Sequence, residues 1–271
     1  MEYEEFIIAL IHNNEKDRLL KVIPKIDLIK LNGYKKVILQ YSVQKEIKYN
    51  YIQVVKNSFI FVTTSIKFQG YLNKKKSIKF VFESMKIFIN IFRYDQYKKN
   101  VKHLSIINAL SLKHVNALKD LVNSTASFAL ILESDAEISN VHKLEDALEE
   151  IIKLFDVYKY CYAIVGDGYT IAKLGVDKIP KTSKGSVDIY ELPFTNTSCS
   201  YFINRDTANL ILSEMLKYPE NVPYVGADWL FNFAFIGLKS AGKQIKCLIF
   251  KDGLVGNGSR LGLTESTIHD S

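Results

Sequence analysis

Phe128-Ala-Leu-Ile-Leu-Glu-Ser-Asp-Ala-Glu-Ile138 is a continuous apolar run that breaks abruptly into acid. Phe128 to Leu132 read as a short buried strand, because an apolar run of this length suits a parallel sheet covered on both faces. Glu133 and Asp135 follow at its carboxyl end, two residues apart, and in extended chain such a pair points to one side. In open α/β sheets, ligands bind in the crevice beyond the carboxyl ends of the strands. Two carboxylates there can hold a hard divalent cation, Mn2+ or Mg2+, and through it a diphosphate. The same acids can also cap a helix or solvate a loop, and Glu-x-Asp spacing alone does not decide between these uses.

Outward from this run, strands and helices alternate. Phe6–Ile11 reads as a first strand, followed by a polar loop over His12–Asp17 and a short helix around Arg18–Ile23. Val37–Tyr41 and Ser58–Thr64 read as strands, with a weaker one at Tyr51–Val55. Apolar residues at helical spacing (Ile107, Leu110, Leu118, Leu121, Val122) predict a helix over Leu104–Val122 that leads into the acidic strand. Beyond it come an amphipathic helix at Val141–Phe155 and a strand at Cys161–Val165 that ends in the Gly166-Asp167-Gly168 turn. Strands at Val187–Leu192 and Ser200–Ile203 follow, then a helix capped by Asn204 or Asp206. A helix opened by Asp228 and a last strand at Ile245–Phe250 complete the order. The alternation predicts one α/β domain over residues 1–271, built on a mainly parallel central sheet.

Composition narrows the class. Aromatic and β-branched residues are plentiful and Gly and Pro few, so 271 residues can bury a large core. The three cysteines, Cys161, Cys199 and Cys247, are scattered and far from any CxxC spacing, which fits reduced core thiols and no zinc site. An acidic N-terminus, Met1-Glu-Tyr-Glu-Glu, and the absence of any long apolar segment predict a cytoplasmic protein, with the inner face of the cell membrane as a further location. Net charge is +7, yet residues 67–102 carry ten bases against Glu83 and Asp95. Interleaved Phe80, Phe82, Phe88, Phe92, Tyr94 and Tyr97 make this stretch suited either to an anionic membrane surface or to an ordinary helix with a wet lysine face. No helix-turn-helix, RNP or finger pattern accompanies the charge, which argues against nucleic acid.

From about Leu104 onward the chain resembles glycosyltransferase family 25, the lipooligosaccharide-biosynthesis type. Four blocks carry the likeness in order. A helix block with a Gly-Cys-x-x-Ser-His core is similar to Ala109-Leu-Ser-Leu-Lys-His114, followed by Ala117-Leu-Lys. The Leu-Glu-Asp-Asp strand end is similar to Leu132-Glu-Ser-Asp135, and the Thr-x-x-x-Tyr block to Asn196-Thr-Ser-Cys-Ser-Tyr-Phe-Ile-Asn-Arg-Asp-Thr-Ala208. A later Pro-x-x-Asp element resembles Gly226-Ala-Asp-Trp229. Ala109, Leu110, Lys113 and Ser134 depart from the pattern, and the N-terminal third matches only in a strand and Asp17-Arg18.

The resemblance implies a GT-A fold, a Rossmann-type α/β/α sandwich, and transfer of a hexose from a UDP-sugar to a lipooligosaccharide or other surface glycan. It implies Asp135 as metal ligand, assisted by Glu133 through water or the nucleotide ribose, with His269 folding back as a further ligand. His114, Arg18 and Arg260 would lie on the donor side. Asn196, Thr197, Tyr201 and Asp167 would lie on the acceptor side. Asp228 would be the general base on the acceptor hydroxyl. Bland alternatives stand beside each: a helical His is commonly structural, an aspartate opening a helix commonly a cap, and a tail histidine commonly solvated. A metal-independent transferase, or a non-catalytic membrane- or polyanion-binding protein with the same fold, fits the same residues.

Overall fold

The computed structural model describes residues 4–42, 94–166, 181–195, 199–217, 226–250 and 252–258, with positions 52, 53, 55, 56, 59, 63 and 66 between them. The chain runs β1 (Glu4–Ile11), α1 (Lys16–Leu28), β2 (Tyr34–Tyr41), α2 (Tyr94–Asn123), β3 (Phe128–Glu133), β4 (Ala136–Ile138) and α3 (Val141–Val157). It continues through β5 (Cys161–Ile164), β6 (Lys181–Lys184), β7 (Val187–Tyr190), β8 (Ser200–Asn204), α4 (Arg205–Met215), α5 (Ala227–Ser240), β9 (Lys246–Phe250) and β10 (Val255–Asn257).

Eight strands form one sheet in the order β2-β1-β3-β8-β5-β9-β7-β6. The parallel pairs are β1–β2, β1–β3 and β5–β9. β8 and β7 run against the other six strands, so the sheet is mixed. The class is α/β.

Strand alternation builds two cores. On β3, Ala129 and Ile131 face one way with Ile7, Ala9 and Ile11 of β1, Tyr201 and Ile203 of β8, and the buried residues of α2, α4 and α5. Phe128, Leu130 and Leu132 face the other way, with Phe6, Ile8 and Leu10 and the apolar stripes of α1 and α3. Helices therefore cover both faces, as the apolar runs of β1 and β3 require. Glu133 continues the odd-numbered series of β3 and falls on the α2/α4/α5 side.

Three expectations from sequence change. The described positions between 52 and 66 are helical, although strands were expected at Tyr51–Val55 and Ser58–Thr64. Ile52, Val55 and Phe59 recur at i, i+3 and i+7, and the Thr63 hydroxyl donates to the Phe59 carbonyl at 2.9 Å, a contact made across one helical turn. β-branched and aromatic content suggested strand, and helical spacing won. The second change concerns Asp228, which is not the cap of its helix: Gly226 holds that position and Asp228 is the second helical residue. The third is the turn at Ser134–Asp135, so the extended-chain rule for a Glu133/Asp135 pair does not set the direction of Asp135. Asn204 does cap α4, accepting from the Thr207 amide at 2.9 Å. Among the described residues no helix is long and apolar enough to cross a membrane.

Candidate functional site

The order β2-β1-β3 sets the carboxyl ends of β1 and β3 side by side, and the region beyond them is the candidate crevice. From β1 the chain passes through α1, on one face, to β2 on one side of β1. Among the described residues the next strand of the sheet is β3, on the opposite side of β1, after α2 on the other face. The strand order reverses between β1 and β3, and in α/β sheets ligands bind beyond the carboxyl ends of the strands at such a reversal. Here those ends carry the loop of residues 12–15 after β1 and the Glu133–Asp135 turn after β3.

Backbone bonds fix the two against each other. The Ser134 amide donates to the Ile11 carbonyl at 2.8 Å, and the Glu133 amide to the Cys199 carbonyl at 2.8 Å. β10 pairs antiparallel with β4, and the Gly258 amide donates to the Asp135 carbonyl at 2.7 Å. The C-terminal segment thus lies beside the acidic turn where the described chain ends. Glu133 and Asp135 are half-buried, and one carboxylate oxygen of Asp135 is shielded from solvent.

Two consecutive side chains of α2 enter this crevice. His114 is buried, with Nε2 3.3 Å from Glu133 Oε1 and Nδ1 3.1 Å from the Tyr201 hydroxyl. Burial holds the Tyr201 phenol well above its ordinary range, with the neighbouring Tyr162 and the charges of Glu133 and Asp228 adding to it. Phe231 lies edge-on to both His114 and Tyr201, one helical turn from Asp228, so the start of α5 adjoins the same cluster. Asp228 is half-buried with one shielded oxygen, in the first turn of α5.

Lys113 is 1% exposed. Its ammonium donates to the His12 carbonyl at 2.6 Å and to the Asn13 side-chain oxygen at 2.5 Å. Burial pushes its pKa down, while the carboxylates of Glu15 and Glu133 pull it up. The loop it holds is internally braced. The Asn13 amide donates to Glu15 Oε2 at 2.6 Å, and the Asn14 amide to His12 Nδ1 at 3.1 Å. Asn14 takes φ of 63°, a left-handed conformation that asparagine tolerates better than most residues. Ser134 Oγ donates to Glu15 Oε2 at 3.4 Å, and Arg18 pairs with Glu15 at 3.7 Å, linking α1 to the acidic turn. Burial and the nearby Lys113 charge lower the pKa of His12, opposed by Glu15 and Gln40.

Glu133, Asp135, His114, Tyr201, Asp228 and Arg18 thus gather around the ends of β1 and β3. Tyr201, which the resemblance puts on the acceptor side, is fully buried and contacts His114 through its hydroxyl. Asp167, Asn196, Thr197, Arg260 and His269 lie outside the described residues, as does the basic segment up to residue 93. The flanks of residues 196–198 are well anchored. The Asn232 side chain both accepts from the Thr195 amide (3.0 Å) and donates to its carbonyl (2.9 Å), and Cys199 holds Glu133. Motif comparison does not mark His12, Asn13, Glu15 or Lys113. A signal for Lys113 exists in its place on the apolar stripe of α2, three after Leu110 and four before Ala117.

Comparison with protein-family models and with curated proteins finds no match to this chain. Among the described residues no group of three or more His, Cys, Asp or Glu side chains is arranged to hold a metal. Glu133 and Asp135 offer hard oxygen donors, which fits a cation that keeps its remaining positions for phosphate oxygens and water.

Proposed function

We propose that the protein is a glycosyltransferase of GT-A type that uses a UDP-sugar and Mn2+ or Mg2+, and that transfers a hexose to a lipooligosaccharide or other cell-surface glycan at the inner face of the membrane. The observation that carries this reading is the meeting of strand ends where the strand order reverses, with two half-buried carboxylates after β3 and a lysine-braced loop after β1. Resemblance over the four sequence blocks supports it, because Glu133, Asp135, His114 and Asp228 all fall at or beside this crevice.

Asp135 and Glu133 would hold the cation, which when bound neutralises charge on the leaving diphosphate. The chain's own residues do the rest. Glu133 also reaches the donor ribose through water, with one oxygen engaged by His114. Arg18 supplies positive charge at the mouth of the donor side. Asp228, in the first turn of α5, accepts the proton of the incoming hydroxyl. Arg260 and His269 follow Gly258, which is bonded to the Asp135 carbonyl, and are assigned to the diphosphate and the cation.

A metal-independent transferase using another activated sugar is the second reading, in which Glu133 and Asp135 bind sugar hydroxyls. One screen separates them: nucleotide sugars incubated with the protein, with Mn2+ or with chelator, scored for donor hydrolysis. Hydrolysis of a UDP-sugar only with metal is the expected result. Hydrolysis that persists under chelation supports the second reading, and none with any donor overturns both in favour of a binding protein.

A further inference from the structure

We infer that Asn232 is a positioning residue whose side chain locks α5 to the backbone of Thr195 and so fixes where Asp228 stands beside the crevice. The inference rests on the proposed function for the role of Asp228, and on geometry alone for the lock. Asn232 is 2% exposed and is the one polar side chain among the buried residues of α5. Its side-chain oxygen accepts from the Thr195 amide at 3.0 Å, and its side-chain nitrogen donates to the Thr195 carbonyl at 2.9 Å. The side chain thus exchanges two hydrogen bonds with a single residue, as the backbone of a strand partner would. Thr195 is itself tied to the sheet. The Tyr162 hydroxyl of β5 is hydrogen-bonded to the Thr195 hydroxyl at 3.4 Å, and the Cys247 thiol of β9 donates to the carbonyl of the preceding Phe194 at 3.5 Å.

Apolar burial is non-directional and lets a helix slide or turn on its sheet, whereas two bonds to a fixed backbone set both its rotation and its height. Asp228 precedes Asn232 by four residues, and residues at i and i+4 lie on the same face of a helix, one turn apart. Burial foremost holds the Tyr162 phenol well above its ordinary range, against a hydrogen bond with Thr195 and with the Asp228 charge adding to it. The carboxylate therefore stands near the same tyrosine that ties Thr195 to the sheet. Misplacing a reacting group by about 1 Å can cost about 100-fold in rate, which is how a clamp one turn away bears on the chemistry.

The first reading is taken on the wild-type chain. Hydrogen exchange resolved to single amides should find the Thr195 amide protected to the same degree as those of α5. Exchange as fast as in exposed turns overturns the inference whether or not any variant folds. Trp229, the chain's one tryptophan, lies beside Asp228 at the start of α5, so its emission reports this turn alone. Asn232→Ala, which deletes both bonds, should shift that emission while the far-UV circular dichroism keeps its helical signal; an unshifted emission in the folded variant overturns the lock. Hydrolysis of UDP-glucose and UDP-galactose with Mn2+ gives the third reading, with water standing for the acceptor hydroxyl. Asn232→Ala should lower kcat by about 10–100-fold at unchanged UDP affinity, and should lower it no further in an Asp228→Asn background. An equal loss in both backgrounds is what a merely structural asparagine gives, and it overturns the link to Asp228. If the wild type hydrolyses no UDP-sugar, the functional reading fails, and exchange and emission still decide the lock.

Discussion

Replacing Lys113 with methionine should leave stability nearly unchanged while loosening the loop after β1. The ammonium is buried and donates to the His12 carbonyl and the Asn13 side chain. Hydrogen bonds to a charged group contribute about 1.5–3 kcal/mol each, so the two together forfeit about 3–6 kcal/mol. Against this, an ammonium removed from water costs several kcal/mol, which a methionine of similar length does not incur. That burial lowers the Lys113 pKa despite Glu15 and Glu133 means desolvation is the larger influence, so we expect the terms to cancel to within about 2 kcal/mol. The sign of the pH dependence follows. A lysine with a depressed folded pKa leaves the unfolded chain the stronger proton binder between that pKa and its ordinary value of about 10.4. The penalty is therefore full at lower pH and is relieved as pH rises through that window. Urea unfolding of both proteins from pH 7 to about 10.5 should give similar midpoints at neutral pH and a wild-type alkaline gain that Lys113→Met lacks. Affinity for nucleotide should fall with the untethered loop. A neutral-pH loss above about 4 kcal/mol would refute the reasoning, because it would make ion pairing with Glu15 and Glu133 the dominant influence.

Asp228→Asn should keep the helix, which is capped by Gly226, and near-normal nucleotide affinity while sugar transfer falls by about 10²–10⁴-fold; transfer within a few-fold of wild type removes Asp228 from the chemistry. Gly166→Ala puts a Cβ 2.3 Å from Ser200 Oγ and 3.1 Å from Cys199 Sγ, both buried, and should cost about 1–3 kcal/mol by chemical denaturation, with partial recovery when Ser200→Ala is added. No loss in the single variant would mean the contact relaxes freely. Changing Lys74, Lys75 and Lys76 to Glu should weaken binding to anionic vesicles, each lysine near the surface contributing about 1 kcal/mol, without altering donor hydrolysis. Equal binding to neutral vesicles speaks against an electrostatic contact.

Much of the scaffold is legible in residues 128–138 and in the runs like it. Phe6–Ile11, Cys161–Val165 and Ser200–Ile203 announce themselves because strands covered on both faces need continuous apolar sequence. Odd and even positions of β3 then divide cleanly between two cores, which sets the side on which Glu133 meets His114. Short pairings are not legible: Ala136–Ile138 and Val255–Asn257 find each other across more than a hundred residues with three positions apiece. The described positions between 52 and 66 mislead because Ile52, Val55, Phe59 and Thr63 favour strands locally while their spacing follows a helix turn. Within the site, the acids stand out by position at a strand end. Lys113 hides as one cation on an apolar stripe, and the contact of His114 with Tyr201 joins residues 87 apart in sequence.

The most direct test of a cation-dependent nucleotide site at the ends of β1 and β3 is calorimetric titration of UDP into the wild type and Asp135→Ala, each with Mn2+ and with chelator. We expect UDP to bind the wild type with Mn2+, to bind far more weakly under chelation, and to lose that difference in Asp135→Ala. UDP affinity that is indifferent both to Mn2+ and to the loss of Asp135 would contradict a metal–diphosphate site at this turn.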